Sequence, residues 1–396
     1  MKRQTFKLAA LLSITAGFGS LAAHAQDDQY KRPNPVTTSV PFLRISPDAR
    51  AGAMGELGMA TTPDANSAFW NLAKTPFSKH DYGVGITYTP WLKDLGLNDV
   101  YLLAASGFIK LDENQALSGS VRYFSLGNIQ YTNFSGTELG EGRPREYGID
   151  VGYSRKLSDK MGLGIALRYI NSNLAAGQEV DGTTYKTGRA VAGDLSFFYT
   201  GTNDVGQGWN FGAALTNLGT KIGYTNDAKQ KDYIPANLSF GTTFTNVFDE
   251  NNKIMVGLDI HKLLVPTPPE PSKNPNDDLR LSEDSAAVAK YRDKSVVGSW
   301  FSSFGDAPGG FSEELKEFQF SLGAEYSYND QFFVRAGYFY ENKDKGNRKY
   351  FTMGLGLKYN VFGLNFAYLV PSGSGVNRNP LSNTLRFGLV FDIDKE

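Results

Sequence analysis

The chain has 396 residues, a formal net charge of -1, 43 Gly, no Cys and 13% aromatic residues. That charge balance argues against a nucleic-acid partner, which needs a concentrated basic face. The lack of Cys excludes thiol chemistry and a disulfide framework, and abundant Gly and Tyr suit closely packed strands with aromatic belts better than helices.

In chain order, Lys2, Arg3 and Lys7 precede an apolar run over 8–21 that closes on Ala23-His24-Ala25, a small-x-small cleavage site. This pattern predicts a secretory signal peptide over 1–25 and a mature chain from Gln26. Gln26 is not Cys, so no lipid anchor is expected. No later stretch reaches the roughly eighteen consecutive apolar residues of a helical span, which excludes helical membrane crossing.

Residues 26–80 do not alternate. The small residues and Met of 48–55 predict a short helix packed against backbone, and 64–71 a second one with Asp64 as its N-cap. An unpaired segment of about 55 residues must fill a barrel lumen or hang beneath it. Its apolar content favours filling, as a plug or hatch.

From Tyr82 onward apolar residues alternate with small or polar ones, the period of a strand with two unlike faces. Tyr147, Ile149, Val151 and Tyr153 share one face; Gly148, Asp150 and Gly152 share the other. Fourteen strands follow: 82–88, 100–109, 116–124, 146–154, 161–169, 190–199, 208–217, 236–245, 253–262, 318–328, 331–341, 349–359, 362–370 and 384–393. Their lengths fit the roughly 9–11 tilted residues of a membrane strand.

The connections alternate between long and short, so all short links fall at one end of the sheet, the arrangement of periplasmic turns opposite surface loops. A soluble sandwich has no reason to sort its loops this way. Tyr82, Tyr88, Tyr153, Tyr169, Trp209, Tyr338 and Tyr359 stand near strand ends, where interfacial girdles form. The reading is an all-β membrane protein, an antiparallel transmembrane barrel of about fourteen strands in the outer membrane. An even count places both termini in the periplasm. Three parts result: signal peptide 1–25, plug 26–80, and barrel 81–396 with a long surface loop over 263–317.

Two tight turns set the register. A three-residue turn at 158–160 puts Asp150 opposite Arg168, and one at 329–331 puts Glu325 opposite Arg335, both inside. Unlike charges side by side contribute roughly 0.2–1 kcal/mol. They read as structural lumen pairs or as charges guiding a substrate.

The loop 263–317 holds the stiff Pro266-Thr-Pro-Pro-Glu-Pro271, a short helix predicted over 282–292, and Phe301, Phe304 and Phe311 in a Gly-rich stretch. Aromatics on a surface loop suit partner contacts, or a loop folded over the barrel mouth. Trp91 and Leu92 of the first long loop join them as candidate contacts.

Little here suits catalysis. His80 and His261 have no companions at ligand spacing, so no metal site is expected, and His261 reads as a lumen residue beside Asp259. Gly52-x-x-Gly55-x-x-Gly58 lacks the dinucleotide spacing and the preceding strand, and no nucleophile elbow occurs. The acidic pairs Asp277-Asp278 and Glu313-Glu314 are expected to be solvated. No cofactor and no enzymatic activity are expected.

Phe42-Leu-Arg-Ile-Ser-Pro-Asp-Ala-Arg-Ala-Gly-Ala-Met-Gly-Glu-Leu-Gly-Met-Ala-Thr-Thr-Pro-Asp-Ala-Asn66 with Phe69-Trp-Asn71 resembles the plug of the PorV family, outer-membrane proteins of type IX secretion within the FadL-like superfamily. Similar patterns recur at Lys262-Leu-Leu-Val-Pro-Thr-Pro-Pro269, Ser303-Phe-Gly-Asp-Ala-Pro-Gly-Gly-Phe311, Arg335-Ala-Gly-Tyr338, Gly346-Asn-Arg-Lys-Tyr350 and Asn379-Pro-Leu381. The resemblance implies a fourteen-stranded barrel with an N-terminal hatch and a role in protein export. It further implies binding of cargo C-terminal signal domains at the translocon barrel and delivery to a sortase-like surface attachment complex. The alternatives are a FadL-type channel for hydrophobic small molecules and a surface enzyme acting on lipid, for which no nucleophile or metal constellation exists.

Overall fold

The computed structural model describes residues 33–133, 135–180, 182–227, 230–269, 278–370, 381 and 383–394, with no side-chain detail at Asp94 or over 278–283. The expected signal peptide, Asp277 and most of the 379–381 motif lie outside these residues.

Fourteen strands close into one antiparallel barrel. They are β1 (Tyr82–Pro90), β2 (Val100–Asp112), β3 (Gln115–Leu126), β4 (Arg145–Lys156), β5 (Met161–Asn173), β6 (Gly188–Thr200) and β7 (Gly208–Gly219). The second half comprises β8 (Asn237–Val247), β9 (Asn252–Leu263), β10 (Gln319–Tyr328), β11 (Phe332–Tyr340), β12 (Lys349–Tyr359), β13 (Phe362–Leu369) and β14 (Leu385–Ile393). Each strand pairs with its chain neighbours, and β1 closes on β14 with Tyr82 opposite Ile393. Closure leaves no strand edge unpaired, which a backbone in hydrocarbon requires. Among the described residues no helix is long and apolar enough to cross a membrane.

The two faces are inverted relative to a soluble protein. In β5, Leu167 is 74% exposed while its neighbour Arg168 is 3% exposed. Val151, Leu163, Ile165, Val191, Phe211, Phe240, Leu322, Phe351 and Leu355 are exposed likewise. An apolar outer face of this extent is the signature of lipid contact. A tyrosine belt rings one end, with Tyr88, Tyr101 and Tyr123 in succession at ring separations of 5.6 and 6.3 Å, and Tyr147 beside Tyr169. Trp209 and Phe244, 4.9 Å apart, stand at the other end.

Short turns join β2 to β3, β4 to β5, β6 to β7, β8 to β9, β10 to β11 and β12 to β13, all at one end. The long connections gather at the other and carry small hairpins, Ile129–Thr132 with Glu138–Gly142 and Ile222–Gly223 with Lys231–Asp232. The loop 264–318 carries the helices Asp278–Asp293, longer than the segment 282–292 expected, Val296–Ser302 and Phe311–Glu314.

Residues ahead of β1 run through the barrel. At the long-loop end Asn34 donates its backbone N–H to Asp344 O (2.9 Å) and Ser39 to Tyr233 O (2.9 Å). At the short-turn end Asp81 donates its N–H to Ile393 O (3.1 Å), and His80 pairs with Asp394 (2.9 Å). The strand ends Tyr82 and Ile393 meet, while the segment before β1 climbs the lumen and puts Asn34 at the opposite end from Asp394. The chain's own first and last residues, on which the expectation of two periplasmic termini bears, lie outside the described residues.

Candidate functional site

The interior is built around this N-terminal segment. Asp48 has extended backbone and caps the five-residue helix Ala49–Ala53, its Oδ1 accepting from Ala51 N (2.8 Å) and its Oδ2 from Trp70 Nε1 (2.5 Å). Small residues follow because the backbone lies against the barrel wall. A Cβ on Gly337 would sit 2.0 Å from the Met54 carbonyl carbon, and one on Gly55, with φ +67°, would sit 2.6 Å from Tyr338 N. Here Gly supplies both the left-handed turn and the approach.

The second predicted helix is absent as such. Residues Ser67–Phe69 and Leu72–Phe77 form 3-10 turns, with Asn66 and Asn71 at their starts. Asp64 instead accepts from Asn66 N (2.9 Å) and binds Arg50 Nη1 (2.9 Å), so its carboxylate is committed to an ion pair.

Strands from around the barrel grip the segment. Arg50 forks onto Glu325 at 3.0 and 2.8 Å, and Arg335 reaches the same carboxylate at 2.6 Å. Asp259 accepts from Gly58 N (2.7 Å) and Met59 N (2.9 Å). Arg122 donates to Leu43 O (2.8 Å), Thr243 to Ala60 O, Ser106 to Ala65 O, Thr352 to Ala53 O, and Asn71 donates back to Phe197 O. Lys74 is buried and donates to Gly58 O (2.7 Å) and Thr61 Oγ1 (2.9 Å).

The lumen pairs sit within this web. Asp150 pairs with Arg168, which also binds Asp194 at 2.9 Å and the Asn217 side chain. Glu325 pairs with Arg335 and with Arg50 of the N-terminal segment. Neither Asp194 nor Arg50 was assigned to these pairs from sequence. Asp194 lies near a bulge between Gly193 and Leu195 that shifts the register, and Arg50 arrives from a segment without period. His261 lies in β9 with Asp259 and hydrogen-bonds the Ser239 hydroxyl (2.8 Å).

At the long-loop end lies a cavity of about 110 Å³, lined in part by Arg44, Arg122, Arg168, His261 and Arg348. Arg44 binds Glu341 at 3.1 Å, and burial beside Arg348 lowers it to about 10. A drug-sized ligand needs roughly 300–1,000 Å³. The cavity is too small for one.

Above it, Glu313, Glu314 and Glu317 are buried, not solvated as expected from their place in a long loop. Lys262, from the end of β9, binds Glu317 (2.6 Å) and Glu314 (3.2 Å). Lys345, from loop 341–348, binds Glu313 (2.7 Å) and Glu317 (3.0 Å). The backbone amides of Ala307 and Gly309 donate to the remaining oxygens of Glu314 and Glu313, and the Thr267 hydroxyl donates to Glu317 Oε1 alongside Lys345. This cluster ties the long loop across the barrel mouth.

On that cap the aromatic rings diverge. Phe301 and Phe311 are 75% and 77% exposed, and Phe304 is 48% exposed with Lys262 Nζ 5.6 Å from its ring centre. Trp91 is half-buried against the cluster of Val40, Phe42, Val100 and Leu102, which fixes the first loop more than it presents the ring outward. Leu92 beside it is half-buried and left-handed, φ 53°. Among the described residues no group of His, Asp or Glu is placed to hold a metal.

A closed fourteen-stranded antiparallel barrel with an apolar outer face and an occupied lumen defines an outer-membrane β-barrel protein. Among solved structures the chain is similar to the Ralstonia pickettii toluene transporter TbuX, with a TM-score of 0.51 and 12% identity, covering 88% of this chain and 98% of that one. It is also similar to the monoaromatic hydrocarbon channel CymD, with a TM-score of 0.50 and 12% identity over 88% and 98% of the two chains. At this identity the likeness shows the fold alone. Comparison with curated proteins gives no match. The family model for the type IX secretion system protein PorV matches residues 26–270, and the chain belongs to that family.

Proposed function

We propose that this protein is a cargo-binding shuttle of type IX secretion. It binds the C-terminal signal domain of a secreted protein leaving the translocon barrel. It then hands that cargo to the sortase-like surface complex that removes the signal and attaches the protein. The work is recognition, without turnover and without a cofactor. Its partners are the translocon barrel, the attachment complex, cargo C-terminal domains and outer-membrane lipid.

One observation carries this reading beyond family membership. The lumen is occupied by an anchored segment, and the largest exposed aromatic rings of the cap, Phe301 and Phe311, face away from it. Rigid apolar rings on a capped surface suit a protein partner. Phe304, Trp91 and Leu92 would border the contact.

Deleting 264–316, with barrel assembly retained, should leave cargo in the periplasm. Normal surface display in that mutant would sink the loop assignment. The milder double variant Phe301→Ser with Phe311→Ser keeps the buried Glu–Lys cluster and should lower display in the same direction.

A channel for hydrophobic small molecules is the second reading, favoured only by the fold shared with the toluene transporter TbuX and the monoaromatic hydrocarbon channel CymD. The small cavity with its arginine lining speaks against it. Saturable fatty-acid uptake into proteoliposomes would revive it.

A further inference from the structure

We infer that the N-terminal segment crosses the barrel from end to end and that residues 34–40 lie on the outer face of the membrane, among the long surface loops. An N-terminal hatch tucked up from the periplasm would begin and end at the short-turn end. The contacts describe another course.

At its start, Asn34 Nδ2 donates to Pro268 O (3.1 Å) and Asn34 N to Asp344 O (2.9 Å), both acceptors on long loops. Val36 is buried with Tyr233, Leu263 and Val265, and Ser39 N donates to Tyr233 O (2.9 Å). Val40, Phe42 and Leu43 then pack with Val100, Leu102, Phe124, Ile170 and Ile234, residues at or beyond the long-loop ends of their strands.

Next comes the middle of the barrel, where Arg50 meets Glu325 and Gly58 meets Asp259. Ala73 lies beside Gly162 and Gly164 of β5, and Phe77 packs on Phe198 at 5.5 Å. The course ends at the short turns, with Lys110 Nζ donating to Ser78 O (3.3 Å) and His80 beside Asp394. The order of contacts along the chain is the order of levels down the barrel.

Short turns face the periplasm in outer-membrane barrels, so the first described residues face outward. They are also a structural post of the crown, since three long loops (220–236, 264–318 and 341–348) each meet 34–40. The segment is held at both mouths, and neither mouth can release it alone.

The chain contains no Cys, so single-cysteine labelling has no background from the protein itself. Thr37 is exposed on the segment, Ser135 on a long loop and Asp159 on a short turn. Each is replaced alone, as Thr37→Cys, Ser135→Cys and Asp159→Cys, in the full chain in cells. A membrane-impermeant maleimide is applied before or after permeabilisation.

The inference expects Thr37→Cys and Ser135→Cys to label as strongly in intact cells as in permeabilised ones, with Asp159→Cys labelling only after permeabilisation. Should Thr37→Cys follow Asp159→Cys, the crossing is overturned. Should Thr37→Cys and Ser135→Cys label together but only after permeabilisation, the outward orientation is overturned. Pro41→Cys, also exposed, gives the same reading if position 37 proves unreactive in detergent. None of these outcomes depends on what the cap recognises.

Discussion

Arg50 holds two carboxylates from different parts of the molecule, Asp64 of its own segment and Glu325 of the wall. All three groups are largely withdrawn from water, so their mutual pairing compensates for lost hydration. Removing one partner of such a buried set costs roughly 3–5 kcal/mol. Arg50→Ala should lower the urea midpoint of the folded protein accordingly, whereas Arg155→Ala, on an exposed side chain, should change it by less than about 0.5 kcal/mol. Equal midpoints for the two variants would show that the segment is not tied to the wall through Arg50. Gly337→Ala places a methyl against the Met54 backbone, while a Cβ at Gly119 meets nothing nearer than 3.6 Å. The first should expose the N-terminal segment to limited proteolysis and the second should not.

Elements divide by how local their causes are. Every barrel strand was readable from alternation, because lipid on one side and polar groups on the other repeat the same demand at every second residue. The turns at 158–160 and 329–331 also carried the register that sets Asp150 against Arg168 and Glu325 against Arg335. The N-terminal segment has no such repeat. Asp64 looked like a helix cap because of its residue type, yet a cation from another part of the segment claimed its carboxylate. Glu313 and Glu314 looked solvated because their counter-ions, Lys262 and Lys345, lie on other elements. Long-range pairing of this kind leaves no local mark. It predicts that Lys345→Met, which strands buried carboxylates, should speed protease cleavage within 264–318 while the barrel keeps its heat-modifiable migration. Unchanged cleavage would mean that the cluster does not fasten the cap.

At the scale of the whole molecule, an apolar ring meets lipid and its interior is taken up by the chain's own segment ahead of β1. A pore would need that segment to leave, against ion pairs in the middle of the barrel and hydrogen bonds at both mouths. On the proposed reading, specific contact is made at the capped loop end. Photo-crosslinking from position 311 in intact cells tests this most directly, with the crosslinker replacing the most exposed phenylalanine of the cap. The account predicts adducts with secreted proteins through their C-terminal domains, lost when cargo lacks that domain. Adducts with lipid alone, in cells that display cargo normally, would contradict it.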